Sequence, residues 1–312
     1  MPAPAASPAT AIDLALGFAI PGQDARGRFV RLGPTLDAIL AAHAYPLRLE
    51  ALLAEALVLT ALFGTTLKDE GGQMTLQAQT EGGVVDLLVC DYRAGALRGY
   101  LQFDADRFAE APADPSLFAL FGKGYLAITF DQAVTGERYQ GIVPLEGGSL
   151  AAAAEAYFAQ SEQIPSLVRI AIAGGAGRPC VAGGMLVQHL PGGETGRDRL
   201  HARIDQGQWD HVAALAGTIK AVELTDPALP LETLVWRLFH DEDEVRLLGE
   251  TAIGKGCRCD PAHIASVLAR FPAEERAAMA DADGIIGVDC AFCARTFPVP
   301  LASLAAAGDE PT

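Results

Sequence analysis

Basic residues are scarce: 23 Lys and Arg stand against 39 Asp and Glu, a formal charge of -16 over 312 residues. Such a field repels phosphate backbones, which argues against nucleic acid as a partner. It also keeps soluble a chain that must at times expose apolar surface. No Lys or Arg precedes Arg26, so "MPAPAASPATAI" lacks the charged start of a secretory signal; residues 1–12 are expected to form a disordered tail. No window approaches the ~20 uninterrupted apolar residues of a membrane helix. The strongest, "ALLAEALVLTALFGTTL", contains Glu55 and ends near Lys68. The expectation is a cytoplasmic protein with no membrane partner. No Ser-His-Asp set, paired-carboxylate arrangement or internal repeat is present, and an enzyme is not expected. "GETAIGKG", Gly249 to Gly256, approaches a phosphate-binding loop, but Gly256 replaces the required hydroxyl and "CRC" follows where a helix should start.

Aromatics are few, at 7%, yet half the chain is hydrophobic and 33 residues are glycine, which suggests a core of Ala, Leu and Val. From "YPLRLEALLAEALVLTALFGTTLKDEGG" a long helix is expected, with an apolar stripe at 49, 52, 53, 56, 57 and 59 and an end at Gly71 and Gly72. "QMTLQAQ" alternates as a half-buried strand, with Met74, Leu76 and Ala78 on one face. Strands follow at "GVVDLLVCDYR" and "LRGYLQF". "GYLAITFDQ" and "ERYQGIVPL" form a hairpin around Gly136. "SLAAAAEAYFAQSEQIP" is a helix capped by Ser149 and stopped before Pro165, and "LVRIAIA" and "AGGMLVQHL" are two more strands. Helices and antiparallel strands mix without strict alternation, which predicts an α+β core over 13–190. Residues 191–245 read as a helical linker carrying "DRLHARIDQGQWDHVAALAGTIKAV" and "PLETLVWRLFH", followed by the acidic "HDEDE". A small domain over 246–300 and a tail over 301–312 complete the division.

Of only six cysteines, four fall within 257–293, as C-x-C in "GKGCRCD" and C-x-x-C in "DCAFCAR". In a reducing compartment such clustering points to metal or redox chemistry before structural disulfides. Two close pairs supply the four thiolates of a tetrahedral zinc site: Cys257, Cys259, Cys290 and Cys293. "GIIGV" and "TFPV" read as strands flanking the "CAFC" knuckle. Asp260 and Pro261 read as N-cap and first residue of a helix that presents Ile264, Val267, Leu268 and Phe271 on one side, and Pro272 starts a second helix. A segment of roughly 55 residues is marginal on its own core and should depend on the metal. From spacing alone, a purely structural zinc site remains open, as does a thiol oxidoreductase using Cys290 and Cys293. A zinc deaminase fits poorly, because Asp289 stands before Cys290 where the P-C-x-x-C of that signature needs proline.

Cys90, in an apolar strand, is expected to be buried and inert; Cys180, in "GGAGRPCVAGG", is expected to be more exposed. His240 beside "DEDE" reads as part of a solvated acidic face, and His189, His201, His211 and His263 show no ligand spacing. Trp209, Trp236, Leu238 and Phe239 lie in the linker as candidates for binding unfolded proteins on activation, or else as permanent cover for the core.

"FHDEDEVRLL" and "GCRCDPAHIASVLARFPAEERAAMADADGIIGVDCAFCARTF" resemble the redox switch of the heat shock protein 33 family, bacterial holdases activated by oxidation. "EALLAEALVLTALFGTTLKDEGGQMTLQAQ", "LLVCDYRAGALRGY", "GKGYLAITFDQ", "ERYQGIVPLEGGSLAAAAEAYFAQSEQIP" and "AGGMLVQHLP" resemble that family's core, so the likeness spans roughly 13–300. The resemblance implies one zinc per chain on the four cysteines when reduced. It implies disulfides Cys257–Cys259 and Cys290–Cys293 when oxidised, with metal release, unfolding of the switch and loosening of the linker. It further implies an ATP-independent chaperone that binds unfolding client proteins under oxidative stress and forms a homodimer when activated. The alternative is a constitutive protein-interaction module with a purely structural zinc site. One departure is "ARTFPVP" after the second pair, where the family usually continues with Asn and a Tyr-containing strand.

Overall fold

The computed structural model describes residues 12–67, 71–112, 116–145, 148–175, 177–190 and 206–304, and its chain divides into two compact units between Lys255 and Gly256. In the first unit, the opening elements are β1 (Leu14–Ile20), β2 (Ala25–Leu32), the helix α1 (Pro34–Leu40) and the long helix α2 (Leu47–Gly64). Three antiparallel strands follow, β3 (Gln73–Glu81), β4 (Val85–Arg93) and β5 (Ala96–Phe103), then two short helices, α3 (Ala105–Glu110) and α4 (Leu117–Phe121). The hairpin β6 (Lys123–Asp131) and β7 (Arg138–Pro144) leads to α5 (Leu150–Tyr157), β8 (Ser166–Gly175) and β9 (Arg178–His189). The linker helices are α6 (Gln206–Ala216), α7 (Ala221–Thr225) and α8 (Leu231–Phe239), and β10 (Arg246–Ala252) and β11 (Gly254–Lys255) close the unit.

Two sheets form the frame, in the orders β10-β1-β2-β9-β8 and β11-β5-β4-β3-β6-β7. Every pair is antiparallel except β11 with β5, so the α+β expectation is met. The expected face of β3 is buried at Met74, Leu76 and Ala78, Gly136 turns the β6–β7 hairpin at φ +67°, and Ser149 accepts from the Ala152 amide at the start of α5. That helix is shorter than the pattern suggested, passing into a π turn over Phe158–Glu162 before Pro165.

Other expectations are corrected. The long helix ends at Gly64, not at Gly71 and Gly72, and its apolar surface is no stripe: Ala54, Val58, Ala61 and Leu62 are buried along with 49, 52, 53, 56, 57 and 59. Both sheets pack on α2, and a helix covered on several sides must be apolar nearly all round. Gly184 of β9 lies so close that a Cβ there would meet Val58 of α2 at 2.4 Å. Cys180 is not exposed; it is buried in β9, its thiol pushed up to about 11 by burial, then by Asp37 and Glu50. The near-match "GETAIGKG" is strand for the most part, with the Lys255 amine donating to the Ala38 carbonyl at 2.6 Å, so no phosphate cradle is built. β10 and β11 also move the division between units from 245 to 255, since β10 pairs with β1 along its whole length. The helix expected over 197–205, His201 included, and the tail expected over 1–11 lie outside the described residues.

The outer face of the five-stranded sheet is covered by the linker. Phe18, Phe29, Met185 and Val187 meet Val212, Leu224, Leu231, Leu234, Leu238 and Phe239 in a second apolar cluster. No described helix is long and apolar enough to cross a membrane.

Candidate metal centre

The second unit is built around its cysteines. Asp260 accepts from the Ala262 amide and Pro261 opens α9 (Pro261–Leu268), as the sequence implied. After Pro272 comes α10 (Ala273–Met279), then the antiparallel pair β12 (Ile285–Asp289) and β13 (Thr296–Pro300) and the short α11 (Leu301–Leu304). The expected tail from 301 therefore begins as a helix, with Leu304 buried and its carbonyl accepting from Arg276 of α10 at 2.8 Å. Among the described residues, the buried core of this unit is Leu268, Ile286, Val299 and Leu304. Val267 and Phe271, expected on the inner side of α9, are each 38% exposed: the packed side of the helix carries Ile264, Ala265 and Leu268, and Phe271 lies beyond its end at Leu268.

The knuckle joining β12 to β13 is closed by main-chain bonds from Cys290 N to Arg295 O at 3.0 Å and from Ala294 N to Cys290 O at 2.8 Å. Ala294 takes a left-handed φ of 53°, and the Thr296 hydroxyl donates to Asp289 at 2.6 Å across its base. This turn brings Cys290 and Cys293 against the other pair. Cys257 and Cys259 Sγ are 3.0 Å apart, Cys257 is 3.6 Å from Cys290, and Cys259 is 3.6 Å from Cys293. All four sulfur atoms lie within 4.8 Å of one another. Four thiolates around zinc at 2.3 Å would sit about 3.8 Å apart, so the cluster has the size and donor chemistry of a tetrahedral metal site.

The four thiols are electrostatically unequal. Burial, followed by bonds to its neighbours, pushes Cys259 well above the ordinary thiol range, and burial also raises Cys257. Burial raises Cys293 as well, but hydrogen bonds from the Arg295 side chain and main chain, then from Cys259 and Cys290, outweigh it and bring that thiol to about 6. Arg295, 5.4 Å from the Phe297 ring centre, is a site residue the sequence reading missed; its signal was a cation two positions after a ligand. No other group of His, Cys, Asp or Glu among the described residues could hold a metal. His240 is exposed near Asp241, and His211 contacts Glu242 at 2.7 Å. Cys90 is fully buried, and burial, then Asp91, holds its thiol well above the usual range.

The family model for the Hsp33 protein matches residues 13–299. The chain belongs to the Hsp33 family. It is 42% identical over 291 residues to a 33 kDa chaperonin of Caulobacter vibrioides, spanning 91% of this chain and 94% of that protein. It is 38% identical over 268 residues to one of Cronobacter sakazakii, spanning 86% and 85%. The crystal structure of the 33 kDa chaperonin (heat shock protein 33 homolog) of Thermotoga maritima has the same fold, with a TM-score of 0.74 at 21% identity over 94% of this chain and 97% of that one. These Hsp33 relatives are named as chaperonins and not as enzymes.

Trp209, Trp236, Leu238 and Phe239 belong to the linker helices of the first unit. Leu238 and Phe239 are buried on the five-stranded sheet, Phe239 meeting Phe18 in a tilted ring contact at 5.5 Å, while Trp209 and Trp236 are half-buried.

Proposed function

We propose that the chain is a redox-regulated, ATP-independent chaperone, idle when its four site cysteines are reduced and zinc-loaded and active when they are oxidised. The observation that carries this reading is the convergence of two sequence-distant thiol pairs in a unit whose described residues bury four hydrophobic side chains. Cys257, Cys259, Cys290 and Cys293 would hold the ion, which when bound supplies the free energy that so small a core lacks. In this reading each pair closes on itself on oxidation. Two thiols of Cys257 and Cys259 lose two electrons and two protons to form one S–S bond, as one peroxide is reduced to two waters; Cys290 and Cys293 do the same. A disulfide sulfur is a poor metal donor, so oxidation removes the ligand set and the unit loses its fold.

Loss of that fold frees the segment that β10 and β11 join to the linker. Release of α6, α7 and α8 would uncover Phe18, Phe29, Met185 and Val187 on the sheet, and Trp209, Trp236, Leu238 and Phe239 on the helices, as surface for unfolding proteins. The net charge of -16 keeps such an opened chain dispersed. A cytoplasmic setting, in which thiols are reduced until stress, and a homodimer of the active form complete the reading.

Light scattering from a heat-denatured reporter enzyme tests it, comparing reduced zinc-loaded protein with protein warmed in peroxide. Suppression of aggregation only after oxidation is expected, with four thiols lost and zinc released. Equal suppression in both states would make the site a structural staple in a constitutive interaction module.

A further inference from the structure

β2 buries a charge where its pattern needs an apolar residue. Arg31 is 0% exposed, on the side of the strand that faces the linker. Its Nε donates to the Leu224 carbonyl at 2.9 Å, one terminal nitrogen donates to Glu223 O at 3.0 Å, and the other donates to Leu229 O. All three acceptors are linker main chain: two in the last turn of α7 and one just ahead of Pro230, which caps α8. With five residues, α7 is too short to hold itself, and its C-terminal carbonyls carry the negative end of the helix dipole. A guanidinium offers them a rigid, permanently charged fork.

Directly across the ladder from Arg31 stands Gly183 of β9. A Cβ on Gly183 would lie 2.1 Å from the Leu224 carbonyl oxygen, closer than any contact permits. Gly183 has no left-handed φ, so what the position requires is space, not backbone freedom. Two residues on adjacent strands thus converge on one carbonyl, one by omitting an atom and the other by donating to it.

We infer that Arg31 and Gly183 form a latch that seats the linker on the five-stranded sheet and makes its release all-or-none. A linker lifted partway would strand a desolvated guanidinium and carbonyls without donors. Each lost bond to a charged group lowers the population of such a state by about tenfold or more. A fully released linker lets water solvate both sides, so the docked and free states are favoured over anything between. The geometry of the latch is independent of the chaperone reading; its consequence for activity rests on that reading.

The test uses the reduced, zinc-loaded full-length protein and its Gly183→Ala, Arg31→Met and Arg31→Lys variants, followed by amide exchange and by scattering from the reporter enzyme. Exchange in 221–229 should rise roughly tenfold or more in Gly183→Ala and Arg31→Met, with β3 to β7 still protected, and less in Arg31→Lys, which keeps the charge but not the fork. Aggregation should be suppressed without oxidant. Unchanged exchange in 221–229 in Gly183→Ala and in whichever Arg31 variants keep the wild-type circular dichroism would overturn the latch. Raised exchange without suppression, in a protein whose oxidised wild type is also inactive, would uphold the latch and overturn the chaperone reading.

Discussion

Glu55 shows how much one side chain can hold. The charge that interrupts the most apolar stretch of the sequence is turned inward: its carboxylate accepts from the Ala151 amide at 2.9 Å and, with Ser149, serves the open N-terminus of α5. Burial raises its pKa, opposed by the Ala151 and Leu150 amides. A carboxyl raised in the folded state contributes stability below its unfolded pKa and loses it as pH climbs through the folded value. Glu55→Gln, with no charge to bury, should therefore melt close to wild type at about pH 4 and above it at about pH 8. Glu55→Ala leaves these amides without their acceptor and should lose about 1–3 kcal/mol at either pH, read from thermal unfolding.

Among the elements, α8 gives the sharpest expectation. Its buried side, Leu231, Leu234, Val235, Leu238 and Phe239, lies on the sheet, and Phe18 stacks on Phe29 at 5.7 Å and meets Phe239 in a tilted contact at 5.5 Å. Phe239→Ala should cost about 3–5 kcal/mol, concentrated on linker docking. The chain has two tryptophans, and both, Trp209 and Trp236, are in the linker, so emission reports on that element alone. The variant should show a red-shifted spectrum while still reduced, approaching that of oxidised wild type. A spectrum identical to reduced wild type would show that Phe239 does not hold the linker against the sheet.

For the molecule as a whole, the contrast between its two units sets the order of melting. The first has a continuous core around α2 and a second cluster under the linker, whereas the described residues of the second unit bury four hydrophobic side chains. Structural zinc in small thiolate domains supplies on the order of 10–16 kcal/mol of apparent binding free energy, more than such a core can provide. Treatment of reduced protein with a strong chelator should therefore abolish amide protection over 256–304 while leaving β3 to β7 protected. Retention of protection after metal removal would show that the second unit folds on its hydrophobic contacts.

Local sequence pattern by itself determined much of this protein. The alternation of β3, the β6–β7 turn at Gly136, the Ser149 and Asp260 caps and the two cysteine pairs each depend on neighbours a few residues away, and chain order records such neighbours directly. What tertiary structure alone decided involves partners that chain order separates. α2 is buried beyond its stripe because two sheets close on it, and a helix carries no mark of how many layers will cover it. Val267 and Phe271 fit the apolar pattern of α9, but the packed side runs through Ile264, Ala265 and Leu268, and the helix ends before Phe271. The role of Arg31 in β2 is set by Leu224, 193 residues later, which is laid over it at Gly183. Solvent exposure is a property of the assembled layers, and so is the worth of a buried charge.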